Sequence, residues 1–240
     1  METLENKRVV VTGGTRGIGR GIAQAFLEKG AKVLILGQKQ ESIDKALTEI
    51  NHSNLYGAAT DVSDEAQVAS AFATANETMG GVDILINNAG ISLGGRVEDL
   101  PLASFQRVLD VNLTGAFLCA KEAFKAMGEA GGRVINIGSI SSQVPRYGSI
   151  PYTTSKFGLE GMTRALAVEG RVKGIMVSCL HPGNTYTEMW QNVPKSVELE
   201  PMMDVADVAD MVIAMSMLSK DISVISATVL NQTQPFLGRG

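Results

Sequence analysis

Tyr152 and Lys156 are four residues apart, directly behind Pro151, in a stretch that opens on Ser139. Proline suits the first turn of a helix. On a helix, positions i and i+4 share a face, so the phenol and the ammonium can share a site. A free tyrosine titrates near roughly pH 10 and is a poor acid–base catalyst at neutrality. A fixed positive charge close by favours the phenolate and brings proton exchange toward the working range. Ser139, on a loop after an apolar run, offers a hydroxyl that can hydrogen-bond a substrate oxygen; Ser141 and Ser142 are its rivals. The pair alone is equally an aromatic beside a solvated lysine, so its meaning depends on the elements around it.

Those elements begin with residues 8–12, a β-branched run of the kind that forms a buried parallel strand. Glycines follow, and then residues 17–30 with an apolar helical stripe of Ile18, Ile22, Ala25, Phe26 and Leu27. Strand, glycine turn and helix are the context of a dinucleotide-binding loop, where backbone N–H groups and the helix N-terminus meet a pyrophosphate. The spacing here is Gly-x-x-x-Gly-x-Gly at Gly13, Gly17 and Gly19, around Thr15, Arg16 and Ile18. Residues 32–36 form a second strand whose tip reads Gly37-Gln38-Lys39. An acid at this tip selects NAD through the ribose hydroxyls. There is none, whereas Arg16 and Lys39 suit a 2′-phosphate, so NADP is expected, with NAD as the alternative.

The alternation continues. A strand over 55–59 leads to Asp61 and Val62, and Ser63 or Asp64 is expected to cap the next helix, leaving Asp61 free. A helix to residue 79 and a strand over 82–86 precede Asn87-Asn88-Ala89-Gly90, whose small residues let backbone approach a cofactor while the amides bond neighbouring strand ends. Ser104 is expected to cap one long helix to about residue 127, with Asn112, a poor helix-interior residue, inside it. A strand over 132–137 delivers Ser139, and the Tyr152 helix runs to about 172. A strand over 174–180 ends in His181-Pro182-Gly183-Asn184-Thr185-Tyr186-Thr187, where a Pro-Gly turn makes His181 structural. A helix over 205–218 and a strand over 227–230 complete the pattern. Strands alternating with helices imply an α/β, Rossmann-type doubly wound parallel sheet in a single domain.

Taken together, the glycine loop, Asn87-Asn88-Ala89-Gly90, Asn112, Ser139, Tyr152, Lys156 and Pro182-Gly183 resemble the short-chain dehydrogenase/reductase family, over about residues 7–218. Among its members the chain resembles the 3-oxoacyl-acyl-carrier-protein reductases, although the tail from Asn231 to Gly240 departs from the family's glycine-rich ending. The resemblance implies catalytic roles for Asn112, Ser139, Tyr152 and Lys156, with backbone at Asn112 holding a water in a proton relay with Lys156. It places Asp61 and Val62 against adenine, and Asn88, Ala89 and Gly90 along the cofactor. It also places Pro182, Gly183 and Thr185 at the nicotinamide amide, and Thr187 near the phosphates. Residues 188–203 take the place of a substrate-covering loop, in which Met189, Trp190, Val193, Met202 and Met203 could line a pocket. The implied reaction is hydride transfer between NADP(H) and a carbonyl or secondary alcohol. The alternatives are an NAD-dependent alcohol or polyol dehydrogenase and a catalytically silent dinucleotide sensor. Relatives are commonly tetramers or dimers, and Gly115, Ala116, Ala120 and Ala123 would permit close helix approach, or equally pack inside one subunit.

Bulk properties agree. At 240 residues, with 45% hydrophobic and 19% charged positions, the chain is ordinary for a globular protein with a sizeable core. A net charge of -4 without blocks of like charge favours neither nucleic acid nor an anionic membrane. No apolar run reaches membrane-spanning length and the first residues are not a signal peptide, so a cytoplasmic location is expected. Cys119 and Cys179 are expected as buried free thiols, and His52 and His181 stand too far apart in sequence to suggest a metal site.

Overall fold

The β-branched runs become strands because they are covered on both faces. The computed structural model describes residues 2–188 and 200–236. Strands β1 (Arg8–Thr12), β2 (Lys32–Gly37), β3 (Leu55–Ala59), β4 (Ile84–Asn87), β5 (Gly132–Ile137), β6 (Ile175–Pro182) and β7 (Ser226–Val229) make one seven-stranded sheet. All pairings are parallel, in the order β3-β2-β1-β4-β5-β6-β7. Between them lie α1 (Gly17–Glu28), α2 (Gln40–Ile50), α3 (Glu65–Met79), α4 (Leu102–Leu109), α5 (Gly115–Met127), α6 (Ile150–Gly170) and α7 (Val205–Ser216).

Alternate residues along each strand enter opposite layers. Val9, Val11, Val33 and Ile35 pack with Ile22 and Phe26 of α1 and with Val208 and Val212 of α7. Val10, Leu34 and Leu36 pack with Val68 and Phe72 of α3 and with Leu118 and Ala120 of α5. Burial of each such large side chain stabilises the fold by about 1.5–3 kcal/mol. This is the doubly wound arrangement expected. Its order reverses between β1 and β4, where the crossovers leave to opposite faces and open a crevice at the strand ends.

Two local expectations need correction, and two open points are settled. The long helix expected from Ser104 is two helices, α4 and α5, joined by a π-helical turn over Asp110–Thr114; it begins at Leu102, behind Pro101, without a serine cap. The extra residue in that turn is what accommodates Asn112. Strand β6 extends through His181 to Pro182, so His181 lies within the sheet rather than on the turn. Gly115, Ala116, Ala120 and Ala123 are buried within the chain itself, and a Cβ on Gly115 would come 2.7 Å from Val62 Cγ2. The small residues of α5 thus serve intramolecular packing. Near the C-terminal end of the described residues, Gln234 is buried and its Oε1 accepts from the Asn184 amide at 2.9 Å.

Candidate active site

At the crevice, the glycine loop is locked to the end of β4. Thr12 Oγ1 accepts from the backbone amides of Asn88 and Ala89, both at 2.9 Å. Asn88 Nδ2 donates to the carbonyls of Thr12 and Gly13 at 2.9 and 3.2 Å. Gly13 and Gly17 have φ of +64° and +53°, values that side-chain-bearing residues adopt at a cost. A Cβ on Gly19 would lie 2.3 Å from the Gly13 oxygen and 2.4 Å from Asn88 Nδ2, so helix and loop meet at glycine contact distance. Arg16, the N-cap of α1, makes no side-chain cap, and no acid occupies the first turn. The N–H groups there remain available to an anion. Thr187 borders the same loop, 3.4 Å from where a Gly17 Cβ would be. This cradle fits a dinucleotide pyrophosphate.

On the β2–β3 side, Asp64 caps α3, accepting from the amides of Ala66 and Gln67. Asp61 is nevertheless not free, contrary to expectation. It accepts from the Ser63 amide and hydroxyl, from Gln38 Nε2 at 2.9 Å and from Arg107 Nη2 at 3.0 Å. Burial alone would raise the Asp61 carboxyl, but the hydrogen bonds from Ser63, Arg107 and Gln38 outweigh it and bring the pKa down to about 2. Arg107, on α4, had no motif to announce it. Arg16 and Lys39 are exposed at the N-caps of α1 and α2, and neither has an ion-pair partner among the described residues. Thr15 packs beneath, its Cγ2 2.7 Å from where a Gly37 Cβ would be, Ile18 contributes to the core, and Val62 closes against Gly115.

Across the crevice, α6 carries Tyr152 and Lys156 with Pro151 in its first turn. Lys156 Nζ lies 5.5 Å from the Tyr152 ring centroid. Lys156 is buried and donates to the Ile137 carbonyl at the end of β5 at 2.8 Å, which fixes its stem. Ser139 follows immediately, capping the short 3-10 turn Ile140–Ser142, with its Oγ accepting from the Ser141 amide at 3.1 Å. Ser141 and Ser142 are buried, whereas Ser139 is partly exposed. Asn112 is 2% exposed. Its Oδ1 accepts from the Ile91 amide at 2.8 Å, and its Nδ2 donates to the Ile91 carbonyl and to Ser155 Oγ, both at 3.0 Å. It therefore clamps the segment after Gly90 to the Tyr152 helix.

Beyond β6, Gly183 donates to the Val229 carbonyl at 2.7 Å, and a Cβ there would come 2.3 Å from Gln234 Oε1. Pro182 ends the strand, and Thr185 pairs with Met203 in an isolated bridge. Arg146, ahead of Tyr152, donates to Asn184 Oδ1 and Glu200 Oε2 at 2.9 and 3.0 Å, joining this turn to the Ser139–Tyr152 loop. Of the substrate-loop residues, Met189, Trp190 and Val193 lie outside the described residues.

Two groups of contacts were invisible in the linear sequence. Arg107 and Arg146 are ordinary surface types whose partners come from distant loops. His181 is fully buried and engages Glu160 and Ser142, residues 21 and 39 positions away. Glu160, Cys179 and His181 are the metal-capable trio among the described residues, with atoms within 4.8 Å of one another. Glu160 sits on Nε2 while the Cys179 thiol lies 4.0 Å from Nδ1, at the other nitrogen of the ring. Hydrogen bonds account for the grouping.

A family model described as short chain dehydrogenase matches residues 7–198. The chain belongs to the short-chain dehydrogenase family. It is accordingly an oxidoreductase acting on a CH–OH group. Among curated relatives, a 3alpha-hydroxysteroid dehydrogenase of Mediterraneibacter gnavus is 38% identical over 207 residues, covering 83% of this chain and 82% of its own length. Among solved structures, a putative gluconate dehydrogenase from Agrobacterium tumefaciens superposes with a TM-score of 0.88 at 31% identity, covering 95% of this chain and 97% of that one. A short-chain dehydrogenase from Burkholderia cenocepacia, in complex with NADP, gives 0.85 at 31% identity, covering 95% and 98%. Within the described residues no helix is long and apolar enough to cross a membrane.

Proposed function

We propose that this short-chain dehydrogenase interconverts a ketone or 3-oxoacyl-type carbonyl and the corresponding secondary alcohol with NADP(H), using Tyr152 as general acid and base. The observation that carries the reading is the Lys156 ammonium 5.5 Å from the Tyr152 ring centroid, on the helix that follows the Ser139 loop. A bound nicotinamide dinucleotide supplies or accepts the hydride. Gly13, Gly17 and Gly19 with the α1 N-terminus hold its pyrophosphate. Asp61 and Val62 border the adenine, and Asn88, Ala89 and Gly90 line its path. Pro182, Gly183 and Thr185 face the carboxamide, with Thr187 at the phosphates. Arg16 and Lys39, both unpaired among the described residues, take the 2′-phosphate with Gln38 beside them, which favours NADP over NAD.

The Ser139 oxygen already accepts from the Ser141 amide, so its own proton is directed outward to the substrate oxygen. In the reducing direction that hydrogen bond polarises the carbonyl, and Tyr152 gives its proton to the alkoxide that develops. Lys156 stabilises the negative charge left on the phenol oxygen and binds the cofactor ribose. Backbone at Asn112 holds the water that returns a proton through Lys156. The hydroxysteroid activity named for the Mediterraneibacter relative supports including secondary alcohols on bulky rings in the proposed substrate range.

A panel of ketones, 3-oxoacyl thioesters and hydroxysteroids assayed with NADPH and NADH tests the reading. Turnover of at least one carbonyl with NADPH is expected; tight dinucleotide binding with no turnover across the panel would point instead to a sensor. Exposed Phe117 on α5, and Phe157 and Val168 on α6, further support a homodimer or homotetramer built on these helices. A single-chain mass by light scattering at micromolar concentration would contradict it. The proposed compartment is the cytoplasm, which cell fractionation tests.

A further inference from the structure

We infer that His181 is a positioning residue for Ser139, that its Nδ1 edge supports the rate of the reaction proposed above, on which the inference rests, and that Glu160 on its other edge contributes stability. The imidazole is 0% exposed and both of its nitrogens are engaged. Nε2 meets Glu160 Oε2 at 3.0 Å and Ser226 Oγ at 3.1 Å. Nδ1 meets Ser142 Oγ at 2.8 Å and lies 3.1 Å from the Ser139 carbonyl and 3.3 Å from the Ser139 amide. Ser142 Oγ in turn donates to the Ser139 carbonyl at 2.7 Å. The Ser139 N–H is thus held by the ring, and its C=O by the Ser142 hydroxyl packed against that ring.

Approach this close needs Gly138. A Cβ there would stand 2.4 Å from His181 Nδ1 and 2.9 Å from Cys179 Sγ, so only a residue without a side chain lets the chain before Ser139 come this close to the ring. Glu160 is on α6, one turn after Lys156 and two after Tyr152, and its other oxygen is held by Arg164 at 2.9 Å. The chain of contacts Arg164, Glu160, His181, Ser142 therefore connects the helix that carries the phenol to the loop that carries the hydroxyl. The carboxylate oxygen is a pure acceptor, which assigns a proton to Nε2. Nδ1 is then the atom that meets the serine loop. Cys179 and Lys156 are the remaining ionisable groups facing this cluster. A histidine serving packing alone would not need its two edges divided between the two catalytic elements.

The two ring nitrogens can be tested separately, because asparagine places its amide where Nδ1 sits and glutamine reaches the position of Nε2. In the full-length enzyme, His181→Gln is expected to lower kcat about 10–100-fold, since a misplacement of about 1 Å costs up to that much. The NADPH Kd should stay within about threefold and KM should change little. His181→Asn, which keeps a hydrogen-bonding group toward Ser139 and loses the one toward Glu160, should retain kcat within about threefold although its melting temperature falls. Equal kcat losses in the two variants, each following loss of folded protein, would overturn the inference, as would an unchanged kcat in His181→Gln. Should both variants fail to fold, Ser142→Ala removes the hydroxyl between ring and loop; a kcat loss of several fold is expected, and an unaltered kcat contradicts the relay. Tyr152→Phe in parallel separates the two claims. An inactive Tyr152→Phe beside a fully active His181→Gln sinks only the relay, whereas an active Tyr152→Phe sinks the reaction reading itself.

Discussion

Replacing Asn112 by alanine should destabilise the protein and slow it through one cause. The side chain is almost fully buried and makes three hydrogen bonds, to the amide and carbonyl of Ile91 and to the hydroxyl of Ser155. Each is worth about 1 kcal/mol net, and a partner left dry costs somewhat more. The loss is therefore about 3 kcal/mol. For a chain of this size, 1 kcal/mol corresponds to about 2–4 °C, so the melting temperature should fall by about 6–12 °C. Asn112→Asp should do no better although it is nearly isosteric, because it keeps the acceptor toward the Ile91 amide but turns an oxygen toward the Ile91 carbonyl. Circular-dichroism melts at neutral pH measure both variants, and initial rates at a temperature where each is folded measure turnover. A shift under about 2 °C for alanine, or a stable and active aspartate variant, would refute the reasoning that Asn112 clamps the cofactor-side loop to the Tyr152 helix.

The double substitution Arg16→Ala with Lys39→Ala should raise KM for NADPH at least tenfold and leave that for NADH within about threefold; equal effects on both would show that neither cation reads the 2′-phosphate. Burial pushes the thiols of Cys119 and Cys179 up to about 12. Both should resist a thiol reagent at pH 8 in the native protein and react promptly after unfolding, and rapid native labelling would contradict their burial.

The fold was readable because the strands are short runs, mostly apolar, with turn chemistry beside them and helical patterns between. Residues 55–59 and 132–137 coincide with β3 and β5 without adjustment. Tyr152 and Lys156 do share one helix and Ser139 does follow a strand exit, because such local placement depends on neighbouring sequence alone. What stayed hidden depends on partners remote in sequence. Asp61 looked free because its cap function passed to Asp64, but Arg107 reaches it from 46 positions away. Asn112 looked out of place inside one long helix; a π turn absorbs it. The tail departed from the family pattern, and only the fold shows Gln234 closing over Gly183. His181 read as turn-side structure because β6 was ended too early, at Leu180 instead of Pro182.

The most direct test of the central claim is Tyr152→Phe, which removes one oxygen and leaves the helix, Lys156 and the glycine cradle in place. Assayed with NADPH and a carbonyl that the wild type reduces, the variant should lose at least a thousandfold in kcat while its NADPH Kd, read from fluorescence titration, stays within a few fold. Turnover within tenfold of wild type would contradict the account, since the proton would then come from somewhere other than this phenol.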